Sequence, residues 1–159
     1  MPFLTPEQQA LATEIARALT ERGETVAVAE STAGGLVSAA LLWVPGASRY
    51  YRGGGVLYTR QSRIAMAGMT PQQFENYRGA TLENVAAMAQ ALRQRLEATW
   101  CIAEAGTAGP TGGQPGRTVI AVSGPVSRSE VFETGSADRE ANMVAFATRS
   151  LEVLLEALR

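Results

Sequence analysis

Short β-rich runs alternate with amphipathic helical stretches along most of this chain, and that alternation restricts the fold more than any other feature. Thr5-Pro6-Glu7 reads as an N-cap, a proline at the first helical position and an acidic first turn. Leu11, Ile15, Ala18 and Leu19 follow at helical spacing, and Gly23 ends the helix. Thr25 to Ala29 is a buried strand by pattern, and Ala33 to Trp43 is a second helix, opened by Gly34-Gly35 and closed before Pro45-Gly46. Tyr50 to Tyr58 is expected as a strand despite three consecutive glycines. Short helices follow around Arg60 to Ala67 and from Thr70-Pro71, and Thr81 caps a long one running to about Glu97. Trp100 to Ala105 is a strand, Gly106 to Gly116 a loop by composition, and Thr118 to Ser123 pairs with Glu130 to Thr134 as a hairpin. A helix from Asp138 to Leu158 closes the chain, with Met143, Ala147, Leu151, Leu154, Leu155 and Leu158 on one face. Strands alternating with helices, then a hairpin and a helix, predict an α/β layered domain with a mixed sheet, in one unit over residues 1–159.

Composition limits the chemistry. All fourteen basic residues are arginine, and the acidic set is fourteen Glu and Asp138; there is no His and no Lys. Histidine is the commonest general base and a desolvated lysine its usual substitute. Arginine remains protonated in proteins and only donates. Any base is therefore a Glu, Asp138, a Tyr, Cys101, the chain terminus or bound water. With one cysteine and no His, zinc-type ligand sets and an intrachain disulfide are excluded, and no metal or other cofactor is expected. A net charge of −1 gives no reason to expect nucleic acid or an anionic membrane as partner. No segment reads as a signal peptide or a membrane span, and the single cysteine fits a cytoplasmic protein.

Three segments combine glycine with hydroxyl or charged side chains at strand ends, where α/β proteins gather ligands. The first is Glu30-Ser31-Thr32-Ala33-Gly34-Gly35: Ser31 is a candidate nucleophile, and the backbone N–H groups of Gly34 and Gly35 are placed to hold an anion at a helix start. The plainer alternative is that Ser31 or Thr32 caps that helix. The second runs from Arg52-Gly53 to Tyr58 and Arg60 to Arg63, two arginines three apart that suit a phosphate or carboxylate, or else a solvated helix face. The third is Gly106-Thr107-Ala108-Gly109-Pro110-Thr111-Gly112-Gly113, which lets backbone approach a ligand closely. It has neither the lysine ending of a P-loop nor a dinucleotide fingerprint.

In order and spacing these segments resemble the CinA carboxy-terminal domain family, whose characterised members are nicotinamide-nucleotide amidases. Family members carry Ala-Glu-Ser-Cys-Thr-Gly-Gly where Ala29 to Gly35 stands here, and Arg-Gly-Gly at Arg52 to Gly54. A Pro-Gly-Ser-Ser segment matches Pro45 to Ser48, and Tyr-Ser-Asn-x-x-Lys matches Tyr58 to Arg63. The loop Thr-Gly-x-Ala-Gly-Pro-x-Gly-Gly matches Ala105 to Gly113, and a Gly-Asp-Arg is echoed by Asp138-Arg139.

The resemblance implies a three-layer α/β/α domain that self-associates. It implies metal-free hydrolysis of the carboxamide of nicotinamide mononucleotide, with a serine attacking and a lysine as base. Ser31 matches the serine; Arg63 stands at the lysine position and Ala105 at a loop threonine, with Tyr58 beside them as a further catalytic candidate. Glu30, Thr32, Gly34, Gly35, Arg52, Gly53, Arg60, Gly106, Gly109, Pro110, Gly112 and Gly113 are the implied nucleotide-binding positions. With Arg63 unable to accept a proton, the expectation is weak or lost amidase activity, or a noncatalytic homologue that binds a nucleotide or a partner protein. Glu104, beside Ala105, is a candidate partner for Arg63 or a replacement base for Ser31. Strand alternation opposes both, because Glu104 and Ala105 face opposite sides.

Overall fold

A computed structural model describes all of residues 1–159. Helix α1 (Pro6–Arg22) starts at a capping box in which Thr5 and Gln8 exchange side-chain and backbone hydrogen bonds, both 3.1 Å. Gly23, left-handed at φ 64°, ends it. Strand β1 (Val26–Glu30) is buried at every position, as a central strand covered on both faces must be. Then come α2 (Leu36–Trp43), β2 (Tyr51–Val56), α3 (Arg60–Ala67), α4 (Leu82–Arg95), β3 (Trp100–Thr107), β4 (Arg117–Ser123), β5 (Arg128–Glu133) and α5 (Arg139–Leu158). The Thr70-Pro71 start gives one 3₁₀ turn, Pro71–Phe74, and Thr81 caps α4 as its sequence signals.

The sheet order is β2-β1-β3-β4-β5. β1 runs parallel to β2 and β3, while β3, β4 and β5 are antiparallel, so the sheet is mixed. Helices α1, α2 and α5 cover one face, over a core that includes Val26, Val28, Ile102, Ile120 and Val122. Helix α4, flanked by α3, covers the other face over Ala27, Ala29, Cys101, Ala103, Val119 and Ala121. Successive residues of β1 and β3 divide between these two clusters, as the period of two in a strand requires. The architecture is the expected three-layer α/β/α sandwich. None of its helices is long and apolar enough to cross a membrane.

Several boundaries shift by one or two residues from the sequence expectation, and two differ for local reasons. β3 continues through Gly106 and Thr107, which pair with Thr118 and Arg117. A Cβ at Gly106 would lie 2.3 Å from the Arg117 carbonyl oxygen, so the glycine that reads as loop instead lets two strands close on each other. α2 begins at Leu36 rather than Ala33, because Gly34 and Gly35 take positive φ of 67° and 101° and the chain must turn before it can coil.

The chain leaves β1 towards the α2 face and leaves β2 towards the α3 and α4 face. Adjacent parallel strands whose exits diverge leave a crevice beyond their carboxyl ends. Ser31 follows β1, Leu57-Tyr58 follows β2, and Ala105 to Thr107 ends β3, so the crevice gathers all three.

Candidate active site

Two buried carboxyl groups shape the turn after β1. Glu104, 1% exposed, reaches across from β3 and accepts the backbone N–H of Ser31 at 3.2 Å and of Ala33 at 2.8 Å. The hydroxyls of Thr32 and, at 2.6 Å, Thr118 donate to its other oxygen. Glu30 accepts the N–H groups of Gly35 (2.8 Å), Val37 (3.1 Å) and Ser38 (2.9 Å), and so occupies the start of α2. Burial raises the pKa of Glu30 above the ordinary carboxylate range, and the hydrogen bonds from Ser38, Val37 and Gly35 partly offset this.

These contacts correct two sequence expectations and agree with the strand-alternation argument against a site role for Glu104. The anion held at the α2 start is the chain's own Glu30: the Gly35 N–H donates to it, while the Gly34 N–H donates to the Ser31 carbonyl at 3.1 Å. Neither N–H is left for a ligand. Thr32 turns its hydroxyl into the core. Glu104 neither pairs with Arg63 nor serves Ser31 as a base, since both of its oxygens are taken by the turn and by Thr118. Its side chain emerges on the α5 face, among Ile102 and Ile120, as strand alternation requires.

The Ser31 side chain points the other way, into a cavity of about 600 Å³ whose wall also includes Tyr58, Arg63, Ala105, Gly106 and Gly113. No protein group hydrogen-bonds to its hydroxyl. Arg63 enters from α3, which opens at a Thr59–Ser62 capping box. It is 7% exposed; its Nε donates to the Leu57 carbonyl at 3.1 Å and its Nη1 to the Tyr77 hydroxyl at 2.8 Å. Arg60, three residues earlier, lies instead over the ring of Phe74 at 5.7 Å, so the two arginines do not form one anion clamp.

Other expected binding residues lie outside the cavity. Arg52 sits near the start of β2, roughly 13 Å of strand away from Val56, and donates to the Glu97 carbonyl at 3.2 Å; Gly53 packs beside Leu96. Gly109 is buried beneath the loop, where its carbonyl accepts from Arg139 at 2.7 Å, and Asn142 of α5 donates to the Ala108 carbonyl at 2.8 Å. Pro110 and Gly112 are exposed on the outer part of the same loop. These residues anchor and shape the loop that brings Gly113 to the rim.

Apart from Thr107, which lies in the third glycine-rich segment, the rest of the wall was not legible as a site. Tyr77, Arg78, Gly79, Ala80 and Thr81 come from the segment before α4, and Thr107, Gln114 and Arg117 from the β3–β4 connection and its flanks. Arg117 Nη1 donates to the Ala80 carbonyl at 3.1 Å and ties the two together. The cavity thus carries three arginines (Arg63, Arg78 and Arg117), none of them in an ion pair, and no Asp or Glu. Such a wall favours anions.

Residues 8–158 match the model of the CinA C-terminal domain. The chain belongs to the CinA C-terminal domain family. It is 38% identical over 151 residues to a CinA-like protein of Desulfosudis oleivorans, covering 91% of this chain and 36% of that protein. A CinA-like protein of Desulforapulum autotrophicum is 34% identical, with 95% of this chain and 36% of that protein covered. The chain therefore spans about a third of the length of these curated relatives. The crystal structure of competence/damage inducible protein CihA from Agrobacterium tumefaciens superposes with a TM-score of 0.94 at 25% identity, covering both chains completely. That of a competence or damage-inducible protein from Enterobacter asburiae gives 0.88 at 27% identity, over 96% of this chain and 98% of that one.

Proposed function

We propose that the cavity binds a pyridine mononucleotide and that hydrolysis of the nicotinamide mononucleotide carboxamide, releasing ammonia and the acid nucleotide, is slow or lost in this chain. The observation that carries this reading is a buried serine facing a cavity walled by three arginines and no carboxyl group.

A serine hydroxyl attacks an amide only if something takes its proton. Glu104, the carboxyl nearest in sequence to the Ala105 wall, is engaged by four donors. Arg63 cannot accept a proton. The titratable groups left in the wall are the phenols of Tyr58 and Tyr77, and the Tyr77 hydroxyl already accepts from Arg63. Loss of a general base lowers the rate by about 10²–10⁴-fold, and by more where serine and base act as a unit. The nucleophile and the anion-binding wall remain.

Ammonia release from nicotinamide mononucleotide tests this. Wild type should turn over slowly or at background, and any activity above background should disappear in Ser31→Ala. The double change Arg63→Lys, Ala105→Thr should raise the rate by at least tenfold, because a lysine can both lose and return a proton. Rapid wild-type turnover would overturn the missing-base reading. Turnover that survives Ser31→Ala would remove Ser31 from the chemistry.

The second reading is a noncatalytic homologue that holds a nucleotide, favoured by the complete engagement of Glu104. Calorimetric binding of the mononucleotide with no ammonia release from wild type or from the double variant would select it.

A further inference from the structure

We infer that the cavity is built for a ligand with two separated anionic groups, so that among pyridine mononucleotides it holds the carboxylate form more tightly than the carboxamide form. This rests on the pyridine-mononucleotide reading above and adds a preference to it.

The cavity has a buried floor and an exposed rim. Ser31, Arg63 and Ala105 are buried and form the floor, whereas Arg78 and Gln114 are exposed and Arg117 is half-buried. A guanidinium as buried as Arg63 is costly unless a negative charge compensates it, and no Asp or Glu oxygen lies within 4.0 Å of it. Its protein partners are a carbonyl and a phenol, which engage Nε and Nη1. Nη2 has no partner in the protein and no buried side-chain N or O atom of the chain is left unpaired, so Nη2 is accessible, and Arg63 lines the cavity. With the Tyr77 ring under the guanidinium at 5.8 Å, an anion bound at Nη2 would supply the compensating charge.

The exposed Arg78 and the half-buried Arg117 add positive charge at the rim of the same cavity. Arg117 is held by the Ala80 carbonyl, Arg78 makes no ion pair, and both face the same cavity. A phosphate at the rim leaves the other end of a mononucleotide at the floor. There Arg63 offers a charged donor and nothing that accepts, while the Ser31 hydroxyl can donate or accept, so the discrimination falls to Arg63. A carboxylate accepts at both oxygens. A carboxamide has a single acceptor oxygen, and its NH₂ would face a donor-only guanidinium. The same exchange that removes the family's proton acceptor therefore produces a seat for the charged acid.

Titration calorimetry with nicotinic acid mononucleotide and nicotinamide mononucleotide at one salt concentration tests the preference. It should be run on wild type and on Ser31→Ala, so that no amide is converted during the measurement. The acid should bind about tenfold or more tightly, the range set by one additional charged hydrogen bond. Arg63→Gln should bring the two affinities together, while Arg117→Thr should weaken both by a similar factor. A circular dichroism spectrum and urea unfolding midpoint close to wild type guard against a misfolded Arg63→Gln variant.

Equal affinities, or tighter binding of the amide, would overturn the inference while leaving the pyridine-mononucleotide reading intact. An undiminished preference in a folded Arg63→Gln would overturn the assignment to Arg63. Binding of neither nucleotide would overturn both readings.

Discussion

Glu104 brings a carboxyl group into the core between β3 and the turn after β1, with four donors converging on it. Two are backbone N–H groups, of Ser31 and Ala33, and two are hydroxyls, of Thr32 and Thr118. Removing the acceptor leaves all four without a partner in a region that water does not reach. We therefore expect Glu104→Ala to cost about 3 kcal/mol or more, read as a lower midpoint in urea unfolding. Glu104→Gln keeps one carbonyl oxygen for the two N–H groups and offers an NH₂ to two hydroxyls that can rotate to accept, so its loss should be clearly smaller. Similar losses in the two variants would mean that the brace acts by packing rather than by hydrogen bonding. Neither variant should create or remove a base for Ser31, so any change in ammonia release should follow folded fraction alone.

At the scale of elements, the start of α2 is a helix terminus completed from within the chain. Glu30 ends β1 and its carboxyl takes three N–H groups at the head of α2, so strand, turn and helix are joined in nine residues. Because burial raises its pKa, the folded protein holds the Glu30 proton to higher pH than the unfolded chain does. Protons bound in excess by the folded state make stability fall with rising pH. The Glu30 contribution is thus present below the ordinary glutamate range, is lost as pH rises through its raised value, and then levels off. Urea midpoints measured from pH 4 to 8 should show this decline, and Glu30→Gln should flatten it. A decline that persists in Glu30→Gln would assign it to another group.

Much at this scale was legible beforehand, since caps and hydrophobic period are local. Thr5-Pro6 and Thr81 mark the starts of α1 and α4, and the five strands follow in the expected order. What misled was glycine, whose two uses look identical in sequence: Gly35 bends the chain, whereas Gly106 lets β4 come close. The site divides in the same way. Ser31, Tyr58, Arg63, Ala105, Gly106 and Gly113 lie in motifs and do converge on the cavity. Arg78 and Arg117 belong to no motif. Their meeting depends on where β4 begins relative to the segment before α4, which is a property of the sheet and not of either segment.

For the whole molecule, Cys101 reports on the integrity of the sheet from its centre. It lies in β3 between β1 and β4, fully buried, and desolvation pushes its thiol pKa up to about 12, with Arg93 and an Ala29 backbone hydrogen bond acting weakly in the other direction. A thiol that is neither exposed nor ionised does not react with alkylating reagents. Modification of Cys101 near neutral pH therefore requires the layers to separate, and its rate should track the population of the open form and accelerate through the urea unfolding transition.

The same thiol reads out ligand binding at the other end of the sheet. A compound that binds only the folded cavity lowers the open population by the factor 1 + [L]/Kd. At a concentration of about one hundred times Kd, labelling should slow about a hundredfold. Nicotinic acid mononucleotide should slow it more than the amide at equal concentration, and Arg63→Gln should remove the difference. Labelling that is fast in the native protein and indifferent to ligand would show instead that β3 opens locally, without the cavity. The two outcomes differ in whether the antiparallel half of the sheet and the parallel half that carries Ser31 unfold as one cooperative unit.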